Sequence, residues 1–96
     1  MTRYLALINY TDQGVNNVDQ SIERASSFGQ AIEAVGGKLI SLYWAVGEVD
    51  GCVIFEAPDD QTGASLLLSL AKLGNVRTRS MTLYDMQEFQ QILAKS

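Results

Sequence analysis

The chain has 96 residues, enough for one domain, with 47% hydrophobic and 19% charged residues and a net charge of −4. That balance excludes a disordered tail. Its seven basic residues are scattered apart from Arg77 and Arg79, so no nucleic-acid partner is expected.

Arg3–Tyr10 (RYLALINY) is predicted as the first strand, with alternate sets Leu5, Leu7, Asn9 and Tyr4, Ala6, Ile8, Tyr10. Thr11–Asn17 is polar, carries Gly14, and reads as a loop or a single helical turn. Val18–Val35 has a helical stripe of Ile22, Ala25, Phe28 or Gly29, Ile32 and Val35. Asp19 or Ser21 suits its N-cap, and Gly36-Gly37 is a strong stop.

Lys38–Val46 and Gly51–Ala57 are rich in strand formers and flank a turn built on Gly47, Asp50 and Gly51. Trp44 alternates with Ile40, Leu42 and Val46 and is expected in the core. Pro58 cannot donate to a ladder, so the second of these strands ends by Ala57. Asp59 or Asp60 then caps a helix over Gln61–Leu73, and Gly74 ends it. Asn75–Tyr84 is the last strand. Asp85 with Glu88 forms a capping box that opens a short helix, Met86–Ala94, with Met86, Phe89, Ile92 and Leu93 on its apolar side.

The element order is β-α-β-β-α-β plus a tail helix, all in residues 1–96 as one domain. The simplest fold is α+β: a ferredoxin-like sandwich with a four-stranded antiparallel sheet in the order 4-1-3-2 and both helices on one face. Leu66, Leu67, Leu68, Leu70 and Leu73 point all around their helix. Leu5, Leu7, Ile54, Met81 and Leu83 would load the open face of the sheet. One subunit has too little chain to cover both surfaces. A homo-oligomer, at least a dimer, is therefore expected, with the tail helix or a second subunit over the leucine-rich helix.

Four stretches carry a resemblance. They are NYTDQG (Asn9–Gly14), GGK (Gly36–Lys38), YWAVGEVDGCVIFEAPDD (Tyr43–Asp60) and LGNVRT (Leu73–Thr78). With their spacing, the chain resembles the GYD-domain family of small, largely uncharacterised bacterial and archaeal proteins, nearly end to end. The family takes its name from a Gly-x-Tyr-Asp segment. Here Gly47-Glu48-Val49-Asp50 keeps the glycine and the aspartate, and Val49 replaces the tyrosine. The resemblance implies a dimeric α+β barrel, in which two ferredoxin-like subunits pack sheet against sheet. It implies no activity.

The sequence has no histidine, which excludes Ser-His and Cys-His nucleophile pairs and imidazole metal sites. Cys52 is the only cysteine, so no internal disulfide forms and no zinc or iron–sulfur site is expected. No cofactor is expected either. Met1–Tyr10 lacks the pattern of a secretory leader, and no apolar run reaches membrane length. A soluble cytoplasmic protein without a membrane partner is the expectation.

One positive signal comes from topology. In the 4-1-3-2 order, the end of strand one (Asn9, Thr11, Asp12), the hairpin turn (Gly47, Asp50) and the start of strand four (Asn75, Arg77, Arg79) meet at one end of the sheet. Alternation puts Asn9 on one face with Leu5 and Leu7. Arg77 and Arg79 can share that face with Cys52, Ile54, Glu56 and Tyr43, which leaves Val76, Thr78, Ser80 and Thr82 towards the helices. Asn9, Asp12, Tyr43, Asp50, Arg77 and Arg79 are the ligand-binding candidates. Two arginines and an asparagine suit a small anionic or carbonyl-bearing molecule.

Plainer roles compete. Arg77 and Arg79 can pair with Asp12, Asp50 or Glu56 across strands or subunits. Asp50 suits a turn and Cys52 a small buried site. A second function class is a cofactor-independent enzyme, an isomerase or monooxygenase, whose acid–base group would be Asp50, Asp12 or Tyr43. A third is a purely structural assembly module.

Overall fold

The computed structural model describes residues 1–96. Its strands are β1 (Thr2–Tyr10), β2 (Lys38–Trp44), β3 (Gly51–Ala57) and β4 (Val76–Leu83). Its helices are α1 (Asp12–Asn16), α2 (Ser21–Ala34), α3 (Asp60–Lys72) and α4 (Met86–Lys95), with a 3-10 turn at Val18–Gln20. The sheet runs β2-β3-β1-β4, the expected 4-1-3-2 order read from the other edge, and every neighbouring pair is antiparallel. The fold is the α+β ferredoxin-like one.

Register decides which side chains meet the helices. Tyr4 pairs with Phe55 and Ala6 with Val53, on the face that α2 and α3 cover. With Ala57, Phe28, Ile32 and Leu66 they form the core, and Phe55, Val53 and Ile32 are fully enclosed. The Phe55 ring stacks on Tyr4 with centroids 5.2 Å apart and meets Phe28 edge-on at 5.7 Å. Offset and edge-to-face contacts suit the ring quadrupoles.

The caps follow local chemistry. The Asp59 side chain accepts from Thr62 N at 2.8 Å and opens α3. The Asp85–Glu88 capping box opens α4 with both of its bonds made. Gly36 and Gly74, at φ of 83° and 80°, follow the ends of α2 and α3 in the left-handed region that favours glycine.

Several expectations fail for definable reasons. The long helix starts at Ser21 rather than Val18, and neither Asp19 nor Ser21 caps it. The Ser21 hydroxyl is already engaged by the Tyr10 hydroxyl at 2.7 Å. Ile22, expected on the buried stripe, is 73% exposed. β2 stops at Trp44, and a bulge between Leu39 and Ser41 leaves Ile40 outside the ladder. The run Ile40, Leu42, Trp44, Val46 is therefore not one buried row. β2 is an edge strand, so Trp44 is half exposed, and Val46 lies beyond the strand in solvent.

The tail helix does not cover α3. It has no buried residue, and Leu68 and Leu73 of the α3 region stay exposed. Instead α4 is tethered to the far end of the sheet, where Arg3 Nη1 donates to Glu88 Oε1 at 2.9 Å and Arg3 Nη2 lies 3.3 Å from Glu56 Oε2. Arg3 lowers the Glu88 pKa second to the backbone N–H of Asp85. The molecule measures 48 × 30 × 19 Å. No helix is long and apolar enough to cross a membrane.

Candidate functional site

One end of the sheet gathers the side chains expected from topology, and a set of hydrogen bonds holds it together. Thr11 N donates to Asn75 O at 3.1 Å, and Thr11 Oγ1 donates to Gly74 O at 2.6 Å. The same hydroxyl accepts from Gly14 N and so caps α1. A Cβ on Gly14 would collide with Asn75 O, so only glycine lets α1 lie this close to the start of β4. Gln13 Nε2 adds bonds to Leu73 O and to Asn75 Oδ1.

The hairpin tip is tied to β1. Asp50 N donates to Ile8 O at 2.8 Å, and Asp50 Oδ2 accepts from Tyr10 N at 2.7 Å. Asp50 O closes the hairpin by accepting from Ala45 N at 2.9 Å. Asn9 Nδ2 donates to Glu48 O at 3.3 Å.

On the face away from the helices, Asn9 pairs with Arg77, Leu7 lies between Arg79 and Cys52, and Cys52 pairs with Tyr43. Asn9, Arg77, Arg79 and Tyr43 thus share one face at one end. Asp50 lies on the turn with its carboxylate directed at a backbone N–H, and Asp12 is exposed at the first residue of α1.

The charges around the arginines are unbalanced within the subunit. The only ion pairs in the chain are Arg3–Glu56 and Arg3–Glu88. Glu56 is thus taken by Arg3, and Asp50 by Tyr10 N. Pairing of Arg77 or Arg79 with Asp12, Asp50 or Glu56 does not occur inside one subunit. Arg77 donates to its own neighbour, Val76 O, at 3.3 Å, and both arginines are exposed. Beside them the same face carries the half-buried Leu5, Leu7, Ile54 and Leu83, with Met81 46% exposed.

A second feature at this end is not among the sequence expectations. Between the sheet and the helices lies a cleft of about 70 Å³, lined mainly by apolar side chains such as Ile8, Phe28, Leu42, Val53, Leu70 and Val76. Tyr10, Ser21, Arg24 and Asp50 also line it. Arg24 and Phe28 are one turn apart on α2, a spacing that puts them on one face. Only the packing of α2 over the sheet turns that face into a cleft wall. The chain brings together no group of three or more acidic or cysteine side chains that could hold a metal ion.

The GYD domain profile matches residues 4–93. A Thermus thermophilus protein named as a glutamine synthetase and cystathionine beta-lyase binding protein is 29% identical over 82 residues, which cover 84% of this chain and 86% of that one. A crystal structure of another Thermus thermophilus chain superposes with a TM-score of 0.56 at 17% identity, covering 88% of this chain and 95% of that chain. At that identity the likeness concerns the fold alone. The profile match runs from Tyr4 in β1 to the last turn of α4, and the chain belongs to the GYD-domain family.

Proposed function

We propose that this protein is a homo-oligomeric binding protein. Its open sheet face packs on a second copy, and its Asn9, Arg77, Arg79 corner receives a small anionic or carbonyl-bearing molecule. One observation carries the reading: two like charges two residues apart on one strand face have no carboxylate partner within the subunit. Such a pair repels itself unless an anion answers it. Assembly is supported by the apolar strip of Leu5, Leu7, Ile54, Met81 and Leu83 beside it, and by the exposed Met86, Phe89 and Leu93 of α4. A sheet-to-sheet contact would bury on the order of 1,600 Å² or more in total.

Sizing and thermal melts of Arg77→Ala and Arg79→Ala, with and without phosphate, test it. If a ligand answers the charge, phosphate raises the melting temperature of the wild type. Arg77→Ala then abolishes that gain, keeps the oligomer and leaves the empty protein as stable or more so. If acids of a second subunit answer it, each variant loses about 1–3 kcal/mol and phosphate does nothing, which overturns the ligand site.

The Thermus relative favours a second reading, because its printed name describes binding to two enzymes. The same arginine pair and apolar strip would then dock on an acidic patch of a partner enzyme. Co-elution of the purified protein with glutamine synthetase, lost in Arg77→Ala, supports that reading over the small molecule.

A further inference from the structure

Tyr43, Cys52, Leu7 and Arg79 stand directly opposite one another on β2, β3, β1 and β4, so one row of side chains crosses the whole open face of the sheet. Neighbouring strands lie about 4.8 Å apart, which puts the two ends of the row about 14 Å apart at the backbone. The ends differ in chemistry. At one, Arg79 and its same-face neighbour Arg77 have no ion-pair partner within the subunit. At the other, the Tyr43 ring is 66% exposed. It takes no part in the ring contacts of the chain, which join Phe55 to Tyr4 and to Phe28.

The middle of the row is apolar and low. Cys52 and Leu7 are both half-buried. Cys52 is the short side chain on a face whose other apolar members are Leu5, Leu7, Ile54, Met81 and Leu83. Two packed sheets stand about 10 Å apart, a depth that their side chains share, so the room left over Cys52 suits a flat group. The acids near this end do not answer the arginines. The Asp50 carboxylate accepts from Tyr10 N, Glu56 pairs with Arg3, and Glu48 forms no ion pair with either arginine.

We propose that this row binds a monocyclic aryl carboxylate, its ring over Cys52 against Tyr43 and its carboxylate on Arg79 and Arg77. The inference rests on the corner site proposed above and names the class of molecule it takes. The planar guanidinium matches a carboxylate, and the uncommitted tyrosine ring matches an aromatic one. Inorganic phosphate satisfies the arginines but leaves the ring and the apolar floor unused.

Benzoate is the probe, with cyclohexanecarboxylate, benzyl alcohol and phosphate as controls, followed by amide chemical-shift mapping at constant ionic strength. Benzoate should shift Leu7, Tyr43, Cys52 and Arg79. It should bind more tightly than cyclohexanecarboxylate, which has the charge without the flat ring, and than benzyl alcohol, which has the ring without the charge. Tyr43→Leu should weaken benzoate by about three- to tenfold, the worth of one ring contact, and leave phosphate unchanged. Arg79→Gln should weaken both. Cyclohexanecarboxylate binding as tightly as benzoate overturns the aryl class, and so does a Tyr43→Leu chain that holds benzoate like the wild type; in either case phosphate binding leaves the corner itself standing. A wild-type chain that binds neither phosphate nor benzoate removes the corner and this inference with it.

Discussion

Tyr10 N donates to Asp50 Oδ2 at 2.7 Å, and this bond joins the last residue of β1 to a hairpin tip forty positions away. The backbone of Asp50 reinforces it by donating to Ile8 O. Asp50 is thus a strut between β1 and the β2–β3 turn. Asp50→Ala strands the Tyr10 N–H, and the expected cost is about 1–3 kcal/mol of unfolding free energy, with Asp50→Asn milder. Urea denaturation measures it. A wild-type midpoint in the alanine variant would dismiss the strut.

Phe55 touches both Tyr4 and Phe28 and is fully enclosed. Phe55→Ala removes the ring from the centre of the core and should cost about 3–5 kcal/mol, while Phe55→Leu should cost less. Since domains of this kind are stable by about 5–15 kcal/mol, the alanine variant should melt far below the wild type.

Acid should loosen the ends of the helices first. The Asp59 carboxyl is held below the usual range by the Thr62 backbone N–H, and Glu88 by the Asp85 N–H and then Arg3. A carboxylate lowered on folding adds stability above its unfolded pKa and loses it as pH falls through the folded value. Melting temperature should therefore drop as pH falls below the ordinary carboxylate range. Glu88→Gln should flatten part of that fall and free α4, which circular dichroism can follow.

Base acts through Tyr4. Burial raises its phenol above the ordinary 10.0, and the hydrogen bond to Asp60 Oδ1 adds to the shift. A group raised on folding contributes fully below its unfolded pKa and loses that contribution as pH climbs through the folded one. Stability should decline above about pH 10. Tyr4→Phe should show a shallower alkaline limb; an unchanged limb would assign the decline to other groups.

The open face can be tested directly. Leu5 sits between Ile54 and Met81 at the middle of the apolar strip. Leu5→Asp should split the proposed dimer into folded monomers, read by light scattering as a particle near 10.5 kDa. A wild-type particle of that mass at micromolar concentration would end the dimer proposal.

Much of the architecture is local and legible in the residues. Alternation along β4 puts Arg77 and Arg79 on one face, and the 4-1-3-2 order brings them to the same end as Asn9; the register Asn9↔Arg77, which only the structure supplies, puts all three on the same face. The Asp59 cap, the Asp85–Glu88 box and the Gly36 and Gly74 stops are each set by a few neighbouring atoms, so a short window of sequence determines them. Other features depend on partners far along the chain, and only tertiary structure decided them. The Ser21 hydroxyl serves Tyr10 rather than a helix end, and Ile40 is extruded where β2 meets β3. Glu56 answers Arg3, which leaves Arg77 and Arg79 without an acid. The Arg24 cleft exists because α2 and α3 stand over the sheet at the distance their core side chains set. A sequence names the donors and the apolar groups; packing alone decides which of them remain unanswered.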